Sequence, residues 1–88
     1  MENDTRGKVK KYILENFLFS ADSNAIHDDV SFMKSGIVDS TGILEIISFL
    51  EEEFQIQVED EEVTPENLDS IYLVAKYVEK KISKNASI

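Results

Sequence analysis

The chain of 88 residues contains no cysteine and no tryptophan, and only one proline, one histidine and three glycines. Without cysteine it can form no disulfide, and it offers no thiolate of its own as nucleophile or metal ligand. A single histidine, His27, leaves a zinc site short of ligands. No glycine-rich phosphate loop is present, and the acidic run Glu59-Asp60-Glu61-Glu62 lacks the alternating oxygen ligands around a central glycine that a calcium loop needs. No metal site is expected. A serine-histidine-aspartate arrangement would have to recruit His27 from a polar loop, and nothing marks an oxyanion site or a substrate cleft near it. No catalytic residue is therefore expected, and the chain reads as a non-enzyme.

Long apolar runs are missing too. Glu45 and Glu51 interrupt the longest one, so no membrane span is expected. The start, Met-Glu-Asn-Asp-Thr-Arg, is not a basic segment followed by an apolar run, so no secretory signal is read and the expected location is cytoplasmic. The most uneven deficit is of positive charge. The net charge is -9, and no lysine or arginine falls between Lys34 and Lys76, whereas residues 35 to 75 hold eleven acids. Such a field repels nucleic acid and suits docking on basic protein surfaces.

What is present is enough for one small core. The length reads as a single domain, 1–88, with its core over about 5–84, and as a monomer. Apolar residues make up 42% of the chain, the share of a globular protein. Val9, Tyr12, Ile13 and Phe17 fall at helical spacing, with Asn3, Asp4 or Thr5 as candidate caps and an end near Phe19. Residues 20 to 39 show no clean period and read as a long ordered loop anchored by Ile26, Val30, Phe32, Met33 and Ile37. A second helix runs from about Ser40 to Phe54 on the stripe Ile43, Ile46, Ile47, Leu50 and Phe54, with Leu44 and Phe49 off its centre.

Gln55 to Glu59 alternates like a strand but has no partner strand, so it reads as an extended linker with Ile56 and Val58 tucked in. Thr64-Pro65-Glu66 starts a short helix, with the threonine as cap and proline at the first position. Asp69-Ser70 caps a last helix that carries Ile71, Val74, Ala75, Val78 and Ile82 on one face, with Lys76, Lys80, Lys81 and Lys84 toward its end. The expected fold is all-α, a small four-helix bundle of three main helices and one short one.

Asp39-Ser40-Thr41-Gly42 stands just before the second stripe. Ser40 has two readings here. It is a plain N-cap, or it is an exposed hydroxyl that another enzyme modifies, since a helix start favours an added negative charge. Gly42 removes a side chain from the first turn and is expected to open the backbone beside Ser40, at about 0.5–1 kcal/mol relative to alanine.

Gly36-Ile37-Val38-Asp39-Ser40, the stripe ending in Leu50-Glu51-Glu52-Glu53-Phe54, Ile56 and Val58, the acidic turn and Tyr77-Val78 together resemble the acyl carrier protein family. The resemblance covers about residues 8 to 83. It implies an all-α fold in which the second main helix carries a prosthetic group at its start. Ser40 matches the serine to which a phosphopantetheinyl transferase, the carrier-protein synthase, attaches 4′-phosphopantetheine from coenzyme A. The arm's thiol would hold acyl or aminoacyl cargo as a thioester. Asp39 would assist the modification, in part through the synthase-bound metal.

Further implied partners are an acyl- or amino-acid-activating ligase and an acyl-accepting transferase or synthase. They would meet the exposed side of the second main helix at Thr41, Leu44 and Ser48, flanked by Glu45, Glu51 and Glu52. Thr41-Gly42 departs from the leucine usual after the serine in fatty-acid carriers. It looks more like stand-alone carriers of specialised acyl or aminoacyl groups, D-alanyl carriers included. Phe49, Ile43, Ile46 and Ile47 are bulky and would leave less room for a long chain. The alternative from another class is an acidic helical adaptor that binds a basic protein without any cofactor.

Overall fold

The longest apolar stripes of the sequence become the three long helices. In the computed structural model, which describes residues 2–20 and 22–86, these are α1 (Glu2–Ile13), α3 (Ser40–Phe54) and α5 (Ile71–Ala86). Two helices of four residues each, α2 (Phe32–Ser35) and α4 (Pro65–Leu68), and two 3₁₀ turns, Ser23–Ala25 and Asp60–Glu62, fill the connections. No strand occurs among the described residues. The fold is the all-α bundle expected, with one short helix more than the periodicity shows.

The core forms where the stripes meet. Val9 and Ile13 of α1, Ile46 and Leu50 of α3, and Ile71, Val74 and Val78 of α5 are all within 1% of full burial, as are Phe32 and, at 2%, Leu68 and Val38. These side chains are apolar and β-branched or bulky, and they leave water as one cluster. α5 packs against α1 and α4 and, more sparsely, against α3. Tyr77 joins the core, whereas Ile82, expected on the same face, is exposed because the cluster ends at Val78. The charged ends of Lys76, Lys80 and Lys81 follow Val74 on that helix; the Lys84 side chain lies outside the described ones.

α1 begins at Glu2, so Asn3, Asp4 and Thr5 sit inside the helix rather than capping it. It then widens into a π turn over Leu14–Leu18 and stops at Phe19, whose backbone is left-handed (φ 52°) and whose N–H returns to the Leu14 carbonyl. The extra residue per turn puts Leu14 in the core beside Ile13 and carries Phe17 toward the start of α3. Tyr12, also half-buried, stacks on Phe49 with centroids 4.1 Å apart, and Phe49 meets Phe54 edge-on. Phe49, off the centre of the α3 stripe, is thus held by a lateral aromatic row.

The segment 22–39 is held by backbone bonds to the α4–α5 junction. Phe32 N–H donates to the Asp69 carbonyl (2.7 Å), and Tyr72 N–H to the Asp28 carbonyl (2.9 Å). Ile26 and Phe32 reach the core, but Met33, read as an anchor, is 49% exposed. The linker 55–59 is extended, with Ile56 buried and Val58 half-buried. The Glu51 side chain accepts its Val58 N–H (3.0 Å), which supplies a partner that no strand provides. At α4, Thr64 occupies the cap position and Pro65 the first turn, but the threonine hydroxyl makes no capping bond. Ser70 does cap α5, accepting from Leu73 N–H at 3.1 Å.

Candidate functional site at the start of α3

The chain enters α3 through a reversal. α2 ends on Gly36, whose φ of 78° is left-handed and favours glycine. Val38 then drops into the core, its N–H on the Phe32 carbonyl, and Asp39 returns to the surface in an extended conformation. Asp39 is the N-cap: its Oδ1 accepts from Gly42 N–H at 2.8 Å, and its carbonyl accepts from Ile43 N–H at 3.0 Å.

Ser40 is therefore the first helical residue and not the cap. Its side chain is exposed, and its hydroxyl has no hydrogen-bond partner among the described residues. The N–H groups of Ser40 and Thr41 likewise find no acceptor there, and both lie at the positive end of a fifteen-residue helix. A hydroxyl in that position is free to be esterified, and the donor set suits a phosphate ester.

Gly42 has a different reason from the one its sequence position suggests. It is buried and faces inward. A Cβ built on it would stand 2.8 Å from Val38 Cγ1 and 2.9 Å from Phe17 Cε1. The missing side chain lets α3 close onto Phe17 of the π turn and onto Val38, whereas Ser40 is exposed.

Beyond Ser40 the outer face of α3 carries Thr41, Leu44, Glu45, Ser48 and Glu52, all exposed, Leu44 to 64%. Their spacing of three and four places them on adjoining turns. Glu51 is half-buried and turned to the linker, as its bond to Val58 shows, so it contributes less to that face. Glu53 points elsewhere, toward Lys8 of α1 at 3.3 Å. Tyr12 donates to the Glu45 carbonyl at 3.2 Å, and burial first, then the Glu45 charge, raises its pKa.

A groove of about 160 Å³ opens on the other flank of α3, lined by Ile43, Met33, Val63, Pro65, Leu68 and the edge of Asp69. Ile43 is three residues after Ser40 and therefore one turn along the same side. Asp69 itself is turned to α2: Oδ1 accepts from Met33 N–H at 3.1 Å and Oδ2 from the Ser31 hydroxyl. Next to Val63 in the chain, Glu62 fastens the 3₁₀ turn to α5. Its Oε1 accepts from the Tyr77 hydroxyl (2.7 Å), Lys81 Nζ (3.0 Å) and Glu59 N–H (3.0 Å). The Glu59 amide foremost, then Tyr77 and Lys81, hold the Glu62 carboxyl down to about 2. Burial, then the bond to Glu62, pushes the Tyr77 hydroxyl up.

Neither Asp69 nor Glu62 stands out in the sequence. Asp69 reads there as a cap and Glu62 as one acid of four; a tyrosine and a lysine on one side of the last helix are the only hint of a partner for Glu62. His27 is exposed in its loop.

Over 74 residues, 84% of the chain, it is 35% identical to an acyl carrier protein of Bdellovibrio bacteriovorus, covering 90% of that protein. The chain belongs to the acyl carrier protein family. It is also 32% identical over 76 residues to an acyl carrier protein of Helicobacter hepaticus, spanning 95% of that protein, and 32% identical over 79 residues to one of Akkermansia muciniphila, spanning 94%. No protein-family model matches the chain. Acyl carrier proteins present cargo to enzymes and catalyse nothing themselves, so this chain is a carrier and not an enzyme. No helix among the described residues is long and apolar enough to cross a membrane.

Proposed function

We propose that this chain is a carrier in which Ser40 holds 4′-phosphopantetheine, transferred from coenzyme A by a phosphopantetheinyl transferase. The observation that carries this reading is the division of labour at the start of α3: Asp39 takes the capping bond, and Ser40 is left exposed with its hydroxyl uncommitted. In the transfer, an Oγ–phosphorus bond forms at Ser40, the pyrophosphate P–O bond of coenzyme A breaks, and adenosine 3′,5′-bisphosphate leaves. The hydroxyl proton passes to a base of the transferase. When bound, the group supplies the thiol that the chain lacks, and with it a thioester for acyl or aminoacyl cargo.

The chain's own residues orient and present. Asp39 holds the first turn through Gly42 N–H, which fixes the direction of the Ser40 side chain, and its carboxylate remains at the surface beside the serine. The free N–H groups of Ser40 and Thr41 would donate to the phosphate ester. Thr41, Leu44, Glu45, Ser48 and Glu52, with Glu51 at the edge, form the surface for the transferase, a loading ligase and an accepting transferase or synthase. Basic rims on those enzymes would be drawn to the acids, and Leu44 would meet an apolar spot at the centre. The carrier would act as a monomer in the cytoplasm.

Incubation with a broad-specificity phosphopantetheinyl transferase and coenzyme A should add one phosphopantetheine by intact mass and create the only free thiol on the protein. Ser40→Ala should abolish both. A gain of mass that survives Ser40→Ala, or none with several transferases, refutes the reading.

A further inference from the structure

Positive charge is scarce in this chain and concentrated in two helices. α1 and α5 hold eight of the nine bases and three of the eighteen acids. The net charge of -9 therefore divides into +5 on this pair and -14 on the rest. The two helices pack directly against each other. We propose that the α1–α5 side carries a second docking surface, centred on Tyr72, for an acidic segment of a partner protein. The surface is independent of Ser40 and of its modification.

The patch is assembled around Asp28. Its carbonyl accepts from Tyr72 N–H at 2.9 Å, and its carboxylate pairs with Arg6 Nη1 at 3.0 Å and Lys10 Nζ at 3.3 Å. These contacts join α1, the loop before α2 and the first turn of α5. The Arg6 side chain is 55% exposed, and the guanidinium donors not used on Asp28 remain open to a further acceptor. Lys76 and Lys80 follow Tyr72 at intervals of four, so the three stand on adjoining turns of one helix face. Both lysines are exposed, and no acid among the described residues forms an ion pair with either. Lys76 Nζ lies 6.0 Å from the Tyr72 ring centroid. The acids within the patch, Asp28 and Glu79, are half-buried, so its outermost charge is positive. Asp29, next in the chain and exposed, would limit it on the loop side.

Tyr72 gives this surface a centre. It is 54% exposed, a large ring among charges. An aromatic anchor inside a charged rim is the usual anatomy of a protein contact. The sign of the rim selects the occupant. The exposed acids of α3 attract basic surfaces, whereas the bases around Tyr72 repel those surfaces and attract carboxylates. An acidic segment with one apolar or aromatic residue would set that residue on Tyr72 and its carboxylates on Arg6, Lys76 and Lys80. A short protein segment covers the patch without running over the acids of residues 35 to 75, whereas a long polyanion would meet that field as well. Because the patch and α3 attract opposite charges, one protein could hold the carrier at Tyr72 while another engages α3.

The test uses the full chain, isotope-labelled for magnetic resonance, and a synthetic peptide rich in glutamate and aspartate with one central phenylalanine. The expected result is saturable shifts of the backbone amides of Arg6, Lys10, Tyr72 and Lys76, with those of Leu44 and Glu45 unmoved, and a Kd that rises with salt. Tyr72→Ala and Lys76→Glu should each weaken binding at least about tenfold, whereas Gln57→Ala, exposed on the linker, should leave it unchanged. Both replaced side chains are exposed, so the variants should keep the wild-type circular dichroism; should either not fold, Arg6→Glu reads the same surface from α1. Shifts that are absent, that fall on α3, or that survive these variants overturn the assignment. Tighter binding at the same amides by vesicles of phosphatidylglycerol, or by a single-stranded oligonucleotide, overturns the acidic protein segment as occupant. The peptide should bind equally before and after addition of phosphopantetheine, and failure of that addition bears on Ser40 alone.

Discussion

Replacing Gly42 by alanine separates two reasons for a glycine in the first turn of α3. If the glycine merely left the backbone open beside Ser40, alanine would stabilise the helix by about 1 kcal/mol through propensity alone. The packing points the other way. The new Cβ would lie 2.8 Å from Val38 Cγ1 and 2.9 Å from Phe17 Cε1, where ordinary contact begins near 3.4 Å. Val38 is buried and Phe17 half-buried, and Phe17 is further held edge-on to Tyr12. Overpacking of this kind costs about 1–3 kcal/mol. Set against the propensity gain, the net effect is a destabilisation of up to about 2 kcal/mol, or a fall in melting temperature of up to about 12 °C for a domain of this size.

The assay is thermal and urea unfolding followed by circular dichroism, with equal m-values as the check that the denatured state is unchanged. A second substitution sharpens the test. Val38→Ala alone leaves a cavity, but in the Gly42→Ala background the new methyl occupies part of it. The pair should therefore be less destabilised than the sum of the singles by about 0.5–3 kcal/mol. A stabilised Gly42→Ala, or strictly additive effects in the pair, refutes the packing account.

Two further predictions rest on polar groups. Glu62→Gln removes a carboxylate that the Glu59 amide, Tyr77 and Lys81 hold down to about 2. Because the folded pKa lies below the unfolded one, the stabilisation is complete above the ordinary carboxylate range and is lost as pH falls from about 4.5 to about 2. The variant should be less stable than wild type by about 1–2 kcal/mol at pH 7, with the gap closing through that window in pH-dependent urea unfolding; a gap independent of pH would refute the assignment. Asp39→Ala removes the cap of α3 and should cost about 0.5–2 kcal/mol, whereas Asp39→Asn, which can still accept from Gly42 N–H, should cost much less. Equal losses in the two would show that the charge and not the capping bond matters.

The three long helices were legible because their apolar residues recur with a helical period and core burial follows that period, as at Ile46, Leu50, Val74 and Val78. The Asp39–Ser40 start was legible as well, since a capping pair before a stripe is a local signal. Local signals misled where geometry depends on distant partners. Thr64 sits where a capping threonine belongs, yet its hydroxyl makes no bond; Asn3, Asp4 and Thr5 have capping side chains but lie within a helix that starts earlier. Nothing in the period of the first helix announces the π turn that buries Leu14 and brings Phe17 to α3.

Composition determined that this chain supplies no thiol, and pattern determined a helical bundle with a serine at the head of its second long helix. Both follow from the chain alone, because residue type and spacing are properties of single segments. Tertiary structure decided the roles within that frame. It assigned the cap to Asp39 and left Ser40 free, turned Gly42 inward against Phe17 and Val38, drew Glu51 to the linker, tied Glu62 to Tyr77 and Lys81, and tied Asp69 to α2. The contacts of Gly42 with Phe17, of Glu62 with Tyr77 and of Asp69 with Met33 join remote parts of the chain, and no spacing within one segment encodes them.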